Sequence, residues 1–227
     1  MKKILNIYGD RMIDTSGSHG SDISSQRIDD LDRAAIDFVM NGLPGNGAIC
    51  DIGCGMGVQG LRFALLGAQV ELYDLVDISS RIRAFGELFP SCRVRFLPGD
   101  VRQTFRPAEA GALGAAYSQR TIHYLPYRDA QALFAKVAGE LVPGGRLFVS
   151  ASGLNSELGK DYPGKELDVS RRFHGLSPET AEKHQIKTPV CLYTEEDIAG
   201  LALDTGFDVV KIWSSEFGNV KGILGRA

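Results

Sequence analysis

The sequence has few cysteines, little net charge and no long apolar run. Its 227 residues include four cysteines, which show neither a paired metal-ligand spacing nor a disulfide framework. The formal net charge of -3 gives no general attraction to nucleic acid or to anionic lipid. No apolar run approaches the ~20 residues that cross a bilayer, and residues 4–8 are too short for the apolar part of a signal peptide. We therefore expect a cytoplasmic protein without a metal site that acts on small molecules or proteins and binds neither DNA nor membranes. The oligomeric state stays open.

The most informative stretch joins a short apolar run to three alternating glycines. Residues 48–51 end at Asp51, Gly53, Gly55 and Gly57 follow, and a helical pattern begins at once over residues 58–66. Glycine allows tight turns and lets a ligand approach the main chain. The stretch predicts a strand, a turn and a helix start, which together form a common cradle for nucleotide-like ligands.

Strand and helix patterns then alternate, which favours an α/β fold with a mostly parallel sheet and helices on both faces. We predict a helix near the N-terminus, capped by Ser24 or Ser25 and buried through Ile28, Leu31, Ala35, Phe38 and Val39. Strands are predicted at 48–51, 70–74, 93–97, 113–118, 146–151, 207–213 and 220–227. Further helices are predicted at 58–66, 79–88, 129–141 and 195–205.

We interpret residues 1–227 as one domain with four parts. Residues 1–44 form an N-terminal arm and helix, and residues 45–151 form the ligand-binding core. Residues 152–193 interrupt the alternation, with only a short helical pattern at 178–185, and predict a lid or substrate-binding insertion. Residues 194–227 supply the closing helix and strands.

Polar residues follow neighbouring predicted strands, and the ends of parallel strands share one edge of a sheet. Asp74 ends the second strand and is predicted to accept hydrogen bonds from ribose hydroxyls, with Asp77 as the rival. Asp100 and Val101 follow the third strand and could recognise an adenine amino group and ring nitrogen. Ser118 ends the fourth strand, opposite the other half of such a ligand.

With these motifs, the chain resembles the class I S-adenosylmethionine-dependent methyltransferases, over about residues 45–151 and again near 193–198 and 205–209. The family signature, an acid and three alternating glycines, matches residues 51–57. The resemblance implies a Rossmann-like, doubly wound, seven-stranded sheet whose last strand is antiparallel, and S-adenosylmethionine as the cofactor. It further implies contacts to the methionine, ribose and adenine parts by Asp51, Gly53, Cys54, Gly55, Gly57, Asp74, Leu75, Asp100, Val101 and the backbone around Ser118.

The residues for the chemistry are less well marked. His123, just beyond the fourth strand, is the candidate general base, with Tyr124 beside it as a substrate contact. His19 lies in the N-terminal arm, which could fold over the cofactor. In the insertion, Arg171 and Arg172 could hold a carboxylate or phosphate, with His174 nearby.

We expect methyl transfer to a small-molecule acceptor, with oxygen slightly favoured over nitrogen and carbon. No Asn-Pro-Pro-Tyr-like tetrapeptide follows the fourth strand, which by the resemblance disfavours amino methylation of DNA bases. Three alternatives stay open: a protein or RNA methyltransferase, a module that binds S-adenosylmethionine without catalysis, and a nicotinamide-dependent oxidoreductase. The last is suggested by residues 55–60, which fit the dinucleotide pattern of glycines.

Overall fold

A seven-stranded sheet with helices around it forms the centre of the computed structural model, which describes residue 19, residues 27–107 and residues 113–226. The strand order is β3-β2-β1-β4-β5-β9-β8. Strands β1 to β5 are parallel to one another, while β9 lies antiparallel between β5 and β8. The predicted Rossmann-like sheet, mostly parallel with an antiparallel last strand, is confirmed.

The elements follow the predicted alternation along the chain. The strands are β1 Ala48–Ile52, β2 Val70–Asp74, β3 Val94–Pro98, β4 Leu113–Gln119, β5 Leu141–Ser152, β6 Phe173–His174, β7 Val190–Cys191, β8 Asp208–Ser214 and β9 Asn219–Gly225. The helices are α1 Asp30–Met40, α2 Val58–Leu65, α3 Ser79–Leu88, α4 Val101–Thr104, α5 Tyr127–Glu140, α6 Pro178–His184 and α7 Glu195–Asp204.

The start of α1 differs from the prediction. Ser24 and Ser25 lie outside the described residues, and the cap is Asp29, whose carboxylate accepts from the Asp32 N–H at 3.0 Å. The Asp29 N–H in turn donates to the Asp32 carboxylate at 2.7 Å, which completes a capping box. Ile28 therefore precedes the helix and is 45% exposed, whereas Leu31, Ala35 and Val39 are buried as predicted.

The core lies on both faces of the sheet. One apolar cluster packs helices α5 and α7 against β4, β5 and β9, and the other packs α1 and α2 on the opposite face. Strand β1 is buried along its whole length, which is typical of a central parallel strand. The carboxyl ends of β1 to β4 therefore share one edge, with the change of winding direction between β1 and β4.

The insertion, residues 152–193, is a packed segment with its own small core. Strands β6 and β7 pair antiparallel, and α6 lies at the predicted helical pattern. Five residues form its apolar cluster: Leu158, Tyr162, Ile186, Val190 and Leu192. Tyr124 packs against this cluster. The insertion thus lies against the loop that follows β4.

Candidate functional site

The glycine turn between β1 and α2 is held by the main chain of the neighbouring strand. The Gly53 and Cys54 N–H groups donate to the Tyr73 carbonyl at 2.8 and 3.0 Å. Gly53, Gly55 and Gly57 have φ of 71°, 54° and 75°, a left-handed backbone that favours glycine. A Cβ at Gly53 would also lie 2.1 Å from the Thr121 Oγ1. Two features therefore require glycine at position 53.

Asp51 fixes the start of α2. Its side chain is buried, and Oδ2 accepts from the Gly60 N–H at 3.0 Å. A Cβ at Gly60 would lie 2.2 Å from the Leu72 Cδ2, so glycine here allows α2 to pack closely on β2. Helix packing thus explains the third glycine of the apparent dinucleotide pattern.

Asp74 reaches the glycine turn directly. Its Oδ2 accepts from the Gly55 N–H at 2.7 Å, and its Oδ1 accepts from the Val76 N–H at 2.9 Å. The rival Asp77 is exposed and accepts from the Ser79 N–H at 2.8 Å, at the start of α3, and its hydrogen bonds with Ser79 lower its pKa. The acid that contacts the turn is therefore Asp74. Its neighbour Leu75 is 57% exposed.

Asp100 lies at the same edge after β3 but already has strong partners. It caps α4 by accepting from the Arg102 N–H at 3.0 Å, and the Arg102 guanidinium binds its carboxylate at 2.5 Å. The hydrogen bond from the Arg102 side chain is the main cause that lowers the Asp100 pKa. Arg102 also contacts Asp129 at 2.9 Å, while Val101 is buried.

The end of β4 is tied to the other elements of the edge. The buried Ser118 hydroxyl donates to the Ile52 carbonyl at 3.1 Å, across to β1. The Gln119 amide donates to the Asp29 carboxylate at 3.0 Å, and Lys221 Nζ binds the same carboxylate at 2.7 Å. These contacts hold the start of α1 against the edge of the sheet.

His123, Tyr124 and His19 lie together beyond β4. The ring centroids of His123 and Tyr124 are 4.1 Å apart, and those of His19 and Tyr124 are 5.1 Å apart. The Tyr124 hydroxyl donates to the His19 carbonyl, and the His19 main chain bridges to Ile186 of the insertion. The structure therefore brings together three of the residues predicted for substrate contact and catalysis.

His123 is a neutral, buried imidazole. Its pKa is well below the usual value of 6.5, chiefly because burial disfavours the charged form, and the charge of Arg120 adds to this. The Ser152 N–H donates to Nδ1 over 3.5 Å, which assigns the proton to Nε2. Nε2 is buried and finds no hydrogen-bond partner among the described residues.

The basic residues of the insertion separate into two environments. Arg172 is buried, and its guanidinium binds Asp197 at 2.5 Å and the Leu192 carbonyl at 2.9 Å. Arg171 is exposed, and its carbonyl lies 3.1 Å from the His174 Nε2. The Arg172 side chain is thus used to attach the insertion to the start of α7.

Two groups of polar residues at this edge were not assigned from the sequence. One is the contact of Asp29 with Gln119 and Lys221, for which a lysine within the otherwise apolar β9 is a signal. The other is the single residue Arg120, which is part of no recognisable sequence motif. Its φ of 55° is visible only in the structure.

Two further kinds of site are absent from the described part of the chain. No group of three or more His, Cys, Asp or Glu side chains there could hold a metal ion. No helix in those ranges is long and apolar enough to cross a membrane.

Comparison with known proteins adds to this geometry. Residues 49–145 match a family model described as a methyltransferase domain. The chain is 30% identical over 121 residues to a ubiquinone biosynthesis O-methyltransferase of Xanthomonas oryzae pv. oryzae, covering 53% of this chain and 49% of that protein. The corresponding Xanthomonas axonopodis pv. citri protein is 29% identical over 107 residues, covering 47% of this chain and 44% of that protein. The chain thus aligns with about half the length of these curated relatives.

Solved structures share the fold over most of the chain. The magnesium protoporphyrin IX methyltransferase of Synechocystis PCC 6803 with bound S-adenosylhomocysteine superposes with a TM-score of 0.63 at 20% identity, covering 97% of this chain and 91% of that one. The Burkholderia thailandensis 1,6-didemethyltoxoflavin-N1-methyltransferase superposes with a TM-score of 0.63 at 18% identity, covering 87% and 79%.

Proposed function

We propose that this chain, whose residues 49–145 match the model of a methyltransferase domain, transfers a methyl group from S-adenosylmethionine to a small-molecule acceptor. The single observation that carries the proposal is the contact between the Gly55 N–H and the Asp74 Oδ2 at 2.7 Å. It joins the glycine turn after β1 to the acid that ends β2, beside the point where the sheet changes its winding direction. Ligands of open α/β sheets bind outside the carboxyl ends of the strands at that point.

The residues at this edge fit S-adenosylmethionine. A carboxylate accepts up to about four hydrogen bonds, so Asp74 could take ribose hydroxyls in addition to its two backbone donors. The turn at Gly53, Cys54, Gly55 and Gly57 would hold the methionine part, with Asp51 acting through α2 and with the backbone near Ser118 as acceptor for the ammonium group. Leu75 would lie beside the ribose.

We propose Asp100 and Val101 for the adenine. The Arg102 guanidinium already occupies part of the Asp100 carboxylate, so recognition of the amino group at this position would share the acid with Arg102. The buried Val101 lies in the first turn of α4, next to that carboxylate.

When bound, S-adenosylmethionine supplies an activated methyl group on a sulfonium. The protein then has mainly to position the acceptor, and good positioning can lower such a barrier by roughly 7–11 kcal/mol. We propose that the acceptor lies near His123 and Tyr124, beneath the insertion and His19. To act as a base, His123 must move its proton to Nδ1 and give up the long bond from Ser152, so that Nε2 can accept.

An oxygen acceptor is the form we favour. A buried neutral imidazole suits the removal of a hydroxyl proton better than contact with a cationic amine. The relatives from Xanthomonas are named O-methyltransferases, which also supports oxygen. The toxoflavin-type neighbour is named an N-methyltransferase, so the fold itself leaves the acceptor atom open.

The test begins with calorimetric titration of the purified chain with S-adenosylhomocysteine and, separately, NADH. Incubation with methyl-labelled S-adenosylmethionine and a metabolite extract follows, and we expect label in a small molecule. Label in protein or RNA would support a macromolecular substrate instead. Binding without any transfer would indicate a sensing module, and affinity for NADH alone would indicate an oxidoreductase.

Asp74→Ala tests the contact between the Asp74 carboxylate and the Gly55 N–H, on which the proposal rests. It removes the proposed ribose acceptor and releases the Gly55 N–H, so we expect S-adenosylhomocysteine binding to weaken by about 1–3 kcal/mol. Asp77→Ala removes an acid three positions further along, at the start of α3, and should leave affinity unchanged. The proposal would be contradicted if calorimetry found equal losses in the two variants, or a loss only in Asp77→Ala.

A further inference from the structure

Arg120 has a constrained backbone at the edge of the proposed site. Its φ is 55°, a region where side chains other than glycine are rare. Its N–H donates to the Ser150 carbonyl at 2.9 Å and lies 3.1 Å from the Ser150 hydroxyl, which fixes that conformation. The next residue, Thr121, packs on Gly53 of the glycine turn. Unfavourable backbone held by its surroundings is frequent at functional sites.

The Arg120 side chain is half-buried and has no partner for its innermost N–H group. Its Nε is buried without a hydrogen-bond partner, and Arg120 forms no ion pair with any carboxylate in residues 27–107 or 113–226. An N–H group that is removed from water without a hydrogen-bond partner costs free energy. Arg172 shows the contrast, because its guanidinium is satisfied by Asp197 and by main-chain carbonyls.

A second unpaired polar atom lies three residues away, in His123. His123 is fully buried, and its Nε2 also has no hydrogen-bond partner among the described residues. Both residues are attached to the end of β5, Arg120 through Ser150 and His123 through Ser152. The charge of Arg120 also contributes to the lowered pKa of His123.

We propose that Arg120 binds an oxyanion, a carboxylate or a phosphate, on the methyl acceptor. This inference rests on the proposed methyl-transfer function and specifies its substrate class. The planar guanidinium presents paired N–H donors that match either anion. This site differs from the anion site expected at Arg171 and Arg172. Arg172 is not available for a ligand, because its guanidinium binds Asp197 and the Leu192 carbonyl.

The experiment measures binding of small anions to the full chain saturated with S-adenosylhomocysteine. Benzoate and inorganic phosphate are titrated separately, and benzamide, which has the shape of benzoate without its charge, serves as the neutral probe. We expect wild type to prefer at least one of the two anions over benzamide. The anion that binds identifies a carboxylate or a phosphate as the recognised group. No preference for either anion would overturn the proposal even without any variant.

Arg120→Gln should weaken binding of the preferred anion at least about tenfold, because it removes charge-assisted hydrogen bonds, while affinity for S-adenosylhomocysteine stays within about twofold. Arg120→Lys keeps the charge without the paired donors and should bind with intermediate affinity. Arg128→Gln makes the same charge change on the exposed face of α5 and should match wild type.

Two results would refute the assignment to Arg120. One is unchanged anion affinity in Arg120→Gln, as expected if another acid of this chain pairs with Arg120. The other is loss of affinity in Arg171→Gln instead, which would move the anion site to the insertion. Absence of S-adenosylhomocysteine binding in wild type would instead refute the proposed function, and the two failures are therefore distinguishable.

Discussion

The glycine turn and the insertion are both irregular segments next to the proposed site, but different interactions hold them. The turn is held by short main-chain bonds to β2 and by one acid, Asp74. The insertion is held by long side chains that reach distant main chain: Arg172 binds the Leu192 carbonyl, and the Tyr162 hydroxyl lies 2.5 Å from the Val190 carbonyl. Local backbone geometry therefore determines the first segment, and buried side-chain contacts between distant residues determine the second.

The largest effect should come from breaking the insertion's ion pair. Arg172→Met keeps most of the side-chain bulk but leaves Asp197 without its cation and two carbonyls without their donor. Removing one partner of a buried pair costs about 3–5 kcal/mol, which urea unfolding would measure. The exposed Arg171→Met should change the free energy of unfolding by less than about 0.5 kcal/mol. If Arg172→Met were as stable as wild type but bound the acceptor poorly, Arg172 would be a ligand after all.

The next effect concerns the turn. Gly53→Ala places a Cβ 2.1 Å from the Thr121 Oγ1, and β-branched threonine has little freedom to move away. Overpacking costs about 1–3 kcal/mol and the left-handed backbone about 1–2 kcal/mol more. We expect lower stability in urea and weaker S-adenosylhomocysteine binding by calorimetry.

Gly86→Ala is the matched control for that substitution. Gly86 lies within α3 with no neighbouring atom within 4 Å of the added Cβ. Alanine there should stabilise the protein by about 0.5–1 kcal/mol and leave affinity unchanged. If Gly53→Ala and Gly86→Ala changed stability and affinity equally, the backbone geometry of the turn would not be what determines its structure.

The smallest effect is a pH dependence of the free energy of unfolding. It arises at His123, which lies next to the insertion. Its folded pKa lies well below 6.5, so above pH 6.5 the imidazole is neutral in both states and has no influence. As the pH falls below 6.5, the unfolded chain binds a proton that the folded protein does not. The free energy of unfolding should then fall by up to about 1.4 kcal/mol per pH unit.

His123→Gln removes this titration and should reduce the slope of urea stability against pH between pH 6.5 and 5. Some slope should remain, because burial lowers the pKa of His184 as well. An unchanged slope in the variant would show that His123 is not the buried neutral group described here.

Agreement between sequence and structure was best where the signal is local. Strand β2, Val70–Asp74, has the predicted bounds, and α7 begins at Glu195 as predicted, where Thr194 and Asp197 form a capping box. The cap of α1 was placed wrongly because Ser24, Ser25 and Asp29 are all good capping residues. The choice depends on the pair formed with Asp32 and on Gln119 and Lys221, which are far away in sequence.

The start of β5 differed for a related reason. The strand predicted at 146–151 begins earlier in the structure, because β5 starts at Leu141 and includes residues 143–145, a proline and two glycines that are typical of a turn. Pairing of Leu141 with Leu113 of β4 extends the ladder past that turn. Pairing with a distant strand cannot be read from the local pattern.

The sequence alone determined the α/β order, the turn at Gly53, Gly55 and Gly57, and the acid Asp74, because these depend on residues close together in the chain. Only the tertiary structure decided that Arg172 is satisfied within the fold while Arg120 is not. Both residues are arginines in polar stretches, and nothing local separates them. The difference arises from which distant acids and carbonyls the packed chain brings within hydrogen-bond distance of each.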